Sequence, residues 1–154
     1  MTSIDDPRMV QRDGFTVVGL STRATAETDL GAHWSDFDTR HGSYTDRIDS
    51  DEAFGVLFDF DDGTGSFTYL AGVEPSSETS VPPTLDRVEV PGGSYAVFTV
   101  GLDEIGTLMD YVYDEWFPSV AYERTDDPEF EYYGPDFDPR DAEATLDVYV
   151  PVDE

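Results

Sequence analysis

The residues best equipped for chemistry lie in the stretch EFEYYG, residues 129 to 134, where two carboxylates are set among three aromatic rings. As a strand, it points Glu129, Glu131 and Tyr133 to one side and Phe130 and Tyr132 to the other, because successive side chains alternate across the pleat. A carboxylate among rings offers two kinds of chemistry. Its charge and the ring quadrupoles together attract an organic cation; shielded from water, its pKa rises and it can serve as an acid or base. Glu131 is also one of 35 acids in the chain, so a solvated strand position is the competing reading. Tyr133 on the same face favours a pocket for Glu131. Glu129, nearer the start of the strand, is expected in solvent.

Other chemistries are short of residues. Cysteine is absent, which removes disulfides, thiolate nucleophiles and Cys-based zinc sites. His33 and His41 are the two histidines; they flank a predicted helix and read as surface or local capping groups. Acids are so frequent that their spacing to a histidine carries no signal, so no metal and no cofactor is expected. There is no Ser-His-Asp set, and neither DDGTG nor GLDEIG has the helix entry or the lysine of a phosphate-binding loop.

The charge balance narrows the partners. In 154 residues there are 35 Asp and Glu against 8 basic residues, all Arg, a formal net charge of -27. The acids are spread between Phe, Tyr, Val and Leu in every segment, which describes a folded domain with a carboxylate-coated surface, not an acidic tail. Self-repulsion on this scale is screened in molar salt, where the Debye length is ~3 Å. The composition therefore reads as that of a halophile's cytoplasmic protein in preference to a DNA mimic. No cluster of Arg supports nucleic-acid binding. The start, MTSIDDPRMVQRDG, lacks the apolar run of a secretory signal, and nothing approaches ~18 consecutive apolar residues, so no membrane contact is expected.

Two similar sets of elements must position Glu131. FTVVGL (15 to 20) reads as a strand, a helix follows from Leu30 to Thr39 on the spacing of Leu30, Trp34 and Phe37, and AFGVLFDF (53 to 60) and SFTYLAGVE (66 to 74) form a hairpin about DDGTG. PSSETSVPP (75 to 83) connects the halves. SYAVFTV (94 to 100) then leads to a helix over about 103 to 117, apolar at Leu102, Ile105, Leu108, Met109, Val112, Tyr113 and Trp116 and ended by Pro118. EFEYYG and ATLDVYVPV supply the last two strands. The order strand, helix, strand, strand occurs twice, and VQRDGFTVVG and VEVPGGSYAVF each bend at glycine before the main strand. One α+β domain over 1–154 is expected, from duplicated βαββ units at about 9–74 and 86–152, with pseudo-two-fold symmetry, an antiparallel sheet with both helices on one side, and a ligand cleft between the halves.

AFGVLFDFDDGTGSFTYLAGVE, VPGGSYAVFTVGLDEIGTLMDYVYDEWFP, FEYYG and LDVYVPV, in this order, resemble the GyrI-like small-molecule-binding domain, the effector-binding domain of AraC-type and multidrug-sensing regulators. The resemblance runs from about Met9 to Val152. It implies the duplicated βαββ fold and a ligand that is lipophilic and cationic or aromatic. It implies that Glu131, the acid of the FExY strand, projects into the pocket. Some stand-alone members are similar to hydrolases of strained cyclopropane rings, so the alternative is a hydrolase using Glu131 and Tyr133. The regulators carry a helix-turn-helix before this domain, whereas here about eight residues precede the resemblance. Sequestration or sensing without direct DNA binding is therefore expected, with a separate regulator protein as partner.

Around Glu131 and Tyr133, the ligand-binding candidates are Trp116, Trp34, Tyr113 and Tyr149. Trp116 and Trp34 sit at helical spacing and read either as core or as pocket wall. Tyr113, like Tyr111, Tyr69 and Phe58, reads first as core with a share in the pocket. Tyr149 alternates away from the Leu146, Val148 and Val150 stripe and is placed at the cleft.

Overall fold

The computed structural model describes residues 7–25, 28, 30–45, 52–61, 63–74, 83–101, 104–125, 127–134, 137 and 143–153. In chain order its elements are β1 (Arg8–Arg12), β2 (Phe15–Ala24), α1 (Leu30–Thr45), β3 (Ala53–Asp61), β4 (Ser66–Val73), β5 (Asp86–Val90), β6 (Gly93–Gly101), α2 (Ile105–Tyr111), a π-helical turn (Val112–Trp116), α3 (Phe117–Ser119), β7 (Glu123–Arg124), β8 (Glu129–Tyr133) and β9 (Thr145–Asp153). The duplicated units are β2-α1-β3-β4 and β6-α2-β8-β9. The segment 75–82, expected to join them, lies outside the described residues.

Eight strands form one antiparallel sheet in the order β1-β6-β9-β8-β3-β4-β2-β5, and the two-residue β7 pairs with β9. Read from the middle outward, β8 answers β3, β9 answers β4, β6 answers β2 and β1 answers β5. This is the pseudo-two-fold, and it passes between β3 and β8. The edge strands are exchanged. β1 precedes β2 in the chain but pairs with β6, and β5 precedes β6 but pairs with β2.

That exchange dictates the curvature. β1 and β2 are six ladder steps apart, ~29 Å in a flat sheet, while the residues from Arg12 to Phe15 span at most ~10 Å. The sheet must curl until its edges approach. The two glycine bends meet there: a Cβ on Gly14 would lie 2.9 Å from Val90 O, and one on Gly92 2.8 Å from Gly14 N. Only residues without side chains let the crossing strands pass this closely. One face of the curled sheet gathers Val17, Phe54, Val56, Leu70, Tyr95 and Phe130 into a single core cluster, with Arg12 lying over the Phe15 ring at 4.2 Å.

Both helices cover the other face. Phe37 of α1 packs with Val18, Val73 and Leu85, and Trp34 packs against this group. Leu108 of α2, with Val112 and Trp116, packs on Ala96, Phe98, Val148 and Val150. Two helix boundaries differ from the sequence reading. α1 runs on to Thr45, through Gly42, six residues past the expected end. Pro118 does not end the second helix; it occupies the first turn of α3, where a missing N–H costs no intrahelical bond, and the preceding π turn accommodates it. No helix among the described residues is long and apolar enough to cross a membrane.

Candidate functional site

The two halves share a backbone seam in which β3 runs antiparallel to β8, with Gly55 opposite Glu131, Leu57 opposite Glu129 and Ala53 opposite Tyr133. On the far side of β8, Glu131 faces Val148 of β9. Residues in such a row point to the same side, so Glu129, Glu131 and Tyr133 all rise from the helix-covered face.

Glu131 is 3% exposed. Its Oε1 accepts hydrogen bonds from the Tyr69 hydroxyl at 2.7 Å and the Tyr133 hydroxyl at 2.8 Å. Trp34 of α1 donates its Nε1–H to the Tyr69 oxygen at 2.9 Å. The Trp34 and Tyr133 rings meet edge to face at 5.6 Å, and Phe137 packs on Tyr133 at 4.9 Å. Each half contributes to this cluster. Trp34, Gly55 and Tyr69 come from the first unit, and Glu131 and Tyr133 from the second.

Gly55 makes the arrangement sterically feasible. A Cβ there would stand 2.6 Å from Glu131 Oε1 and closer still to the Tyr69 hydroxyl. The Tyr69 side chain thus crosses over bare backbone to reach Glu131 from two strands away. A glycine inside a strand often marks such a close approach, and in AFGVLF that was the signal available in the sequence. Tyr69, first read as core, is the partner that the reading undervalued.

Burial dominates the electrostatics. It raises the Glu131 pKa, and the hydrogen bonds from Tyr69 and Tyr133 oppose that rise by stabilising the carboxylate. Burial also raises the pKa of both tyrosines, with the Glu131 charge adding to it. Both phenols therefore remain protonated donors at neutral pH. Among the described residues, the ion pairs of arginine are Arg8 with Asp147 and Arg23 with Asp59, so neither of these supplies Glu131 with a counter-charge.

The expectation of solvent around Glu129 is overturned. Its side chain is 1% exposed, because β8 is a central strand flanked by β3 and β9, not an edge. Burial pushes its pKa up to about 8.

The remaining candidates divide by face. Trp34 stands with Glu131. Trp116 is 5% exposed in the core of the second unit, edge to face with Phe98 at 5.5 Å. Tyr113 is half-buried in the same cluster, stacked on Phe117 at 6.0 Å. The structure brings neither into contact with the Glu131 carboxylate. Tyr149 does alternate away from the Leu146, Val148 and Val150 stripe, but this carries it to the opposite face: it pairs with Phe130, and their rings stack at 4.4 Å. It does not join Glu131. His33 donates its Nε2–H to the Leu20 carbonyl oxygen at 2.6 Å; the His41 side chain lies outside the described residues. A separate cleft of about 400 Å³, bordered by Tyr95, Thr125, Asp127 and Asp153, shares no residue with the Glu131 cluster.

A family model described as Cass2, integron-associated effector binding protein, matches residues 8–152. The transcriptional regulator BrlR of Pseudomonas aeruginosa is 30% identical over 149 residues, 94% of this chain and 54% of the regulator. The chain thus spans about half the length of that relative. Among solved structures, an integron cassette protein of Vibrio cholerae superposes with a TM-score of 0.67 at 21% identity over 97% of each chain. SAV2435, solved bound to tetraphenylphosphonium, superposes with a TM-score of 0.72 at 18% identity, over 97% of this chain and 94% of that one. At these identities the superpositions show a shared fold.

Proposed function

The chain belongs to the Cass2 family of integron-associated effector-binding proteins, and from that premise we propose that its effector is a lipophilic cation recognised by Glu131. The observation that carries this reading is a carboxylate 3% exposed, held by two tyrosine hydroxyls and walled by Trp34 and Tyr133. Glu131 is a buried carboxylate with no basic partner among the described residues, which is costly, and an entering cation offsets that cost. Both tyrosines donate to Oε1, so Oε2 is the oxygen left for a ligand. The rings around it suit a flat or aryl-bearing cation through their quadrupoles. Sequestration of such a ligand, or a report of its presence to a separate regulator, follows from binding alone. Binding is favoured over hydrolysis because every contact in the cluster orients or encloses the carboxylate.

The test uses tetraphenylphosphonium, a cation of this class, against neutral triphenylphosphine oxide. Glu131→Gln keeps the shape and removes the charge, so it should weaken the cation by roughly 1 to 3 kcal/mol, the scale of a lost charge-assisted interaction, and leave the neutral compound nearly unchanged. Asp114→Asn, on the exposed side of the helical segment, is the surface control. The acidic surface reads as an adaptation to molar salt, so calorimetric titration belongs in molar KCl, where diffuse attraction is screened. Equal losses in the two variants would assign binding to surface charge and defeat the proposal.

A further inference from the structure

The hydrogen bonds around Glu131 run in a fixed direction. An indole N–H only donates, so Trp34 Nε1, 2.9 Å from the Tyr69 oxygen, makes that oxygen an acceptor. The single hydroxyl proton of Tyr69 is thereby directed to Glu131 Oε1 at 2.7 Å, and Tyr133 brings a second donor to the same oxygen at 2.8 Å. With both donors on Oε1, a proton carried by the carboxyl belongs on Oε2. Oε2 is therefore a bare anion in one state and a hydroxyl donor in the other. The Trp34 and Tyr133 rings that wall the carboxyl are the same for both.

We propose that the site takes a second class of ligand, neutral lipophilic molecules with a strong hydrogen-bond acceptor such as a phosphoryl oxygen, which bind the protonated Glu131 through its Oε2–H. This deepens the reading that the ionised Glu131 meets a cation, and it rests on that reading. The carboxyl takes one proton from the buffer, and an Oε2–H···O bond stands where the cation would lie. Carboxyl and ligand together carry no net charge in either complex, the condition a buried site favours. Burial raises the Glu131 pKa, which brings the protonated form within reach of mildly acid solution. The neutral ligand is then held best below that pKa and lost as pH rises through it, and the cation behaves in the opposite sense. The titratable side chains around Glu131 are Tyr69 from β4, Glu129 and Tyr133 from β8, and His33 and Asp36 from α1, with the His33 ring 6.3 Å from that of Tyr69. The second helical segment adds the half-buried Tyr111 and Tyr113, with Asp110, Asp114 and Glu115 exposed. The strands beside β8 present Gly55, Leu57 and Val148, and the side chains of Asp38, Arg40, His41 and Tyr44 lie outside the described residues.

The test measures the affinities of tetraphenylphosphonium and triphenylphosphine oxide in molar KCl from about pH 5 to about pH 8. Because the two complexes differ by one proton, the ratio of affinities should move about tenfold per pH unit toward the cation as pH rises. Titration calorimetry in buffers of different ionisation enthalpy should give proton counts that differ by about one between the ligands at any single pH. Glu131→Gln turns its carbonyl to the two tyrosine donors and sets its amide N–H where Oε2 stood, a fixed copy of the protonated acid. Its oxide affinity should not vary with pH, and the ratio should lose its slope although every other titratable group is kept. Glu131→Met has no donor and should bind the oxide about fivefold more weakly than Glu131→Gln. A level ratio in the wild-type chain, equal proton counts, a slope that persists in Glu131→Gln, or no binding of the oxide at the acid end would overturn this inference. The cation reading would still stand if Glu131→Gln weakens tetraphenylphosphonium. If Glu131→Gln leaves the cation affinity intact, the underlying reading fails, and this inference with it.

Discussion

Raising the pH from about 5 to about 9 should destabilise the fold by on the order of 4 kcal/mol, and Glu129→Gln should remove that share of the slope. The Glu129 carboxyl is raised by burial from 4.5 to about 8. Between those values the native chain holds a proton that the unfolded chain has released. Stability must then fall as pH rises, because the native state binds more protons. The loss begins above the unfolded pKa and is complete once the folded group ionises. Glu131, also raised, adds a loss of the same sign that survives in the Glu129 variant. Urea unfolding across this range, in constant molar KCl, measures the slope. An identical slope in wild type and Glu129→Gln would show that the carboxyl is not buried as described.

Gly55→Ala should be the most damaging small substitution at the site, lowering stability by roughly 2 to 4 kcal/mol through overpacking and a lost buried hydrogen bond. The added methyl would collide with the Tyr69 hydroxyl and with Glu131 Oε1 together. Tyr69 has little room to yield. It is 1% exposed, and its hydroxyl is fixed by Trp34 on one side and Glu131 on the other. Cation affinity should fall with stability, since the carboxylate loses its orienting donor. Tyr69→Phe in the Gly55→Ala background removes the colliding oxygen, so the double variant should lose less than the separate effects combined. Thermal unfolding that matches wild type in Gly55→Ala would contradict this packing.

The reach of the sequence reading follows the range of the interactions involved. The alternation in EFEYYG put Glu131 and Tyr133 on one face correctly, because a two-residue period is a local property of a strand. Which face meets the helices is not local. Tyr149 was read as alternating away from its apolar neighbours, and it does, yet its register with Phe130 takes it to the far side from Glu131. The burial of Glu129 was missed for the same reason: position within a strand does not reveal whether that strand is central or at an edge. The paired glycine bends were visible at Gly14 and Gly92, but the exchange of β1 and β5 between halves depends on contacts some 80 residues apart. Tyr69 reaches Glu131 from 62 positions away, and only the missing side chain of Gly55 hinted that something crosses there.

The central claim is that a cation lies against the Glu131 carboxylate, and its ionisation reports that contact most directly. In protein labelled with carbon-13 at the glutamate side-chain carboxyls, Glu131→Gln identifies the resonance by its disappearance. Burial holds this carboxyl above the ordinary range in the free chain, and a bound cation favours the ionised form. Saturating tetraphenylphosphonium should therefore move the Glu131 titration to lower pH, with surface glutamates unmoved. A Glu131 resonance that titrates at the same pH with and without bound tetraphenylphosphonium would place the cation elsewhere and contradict the account.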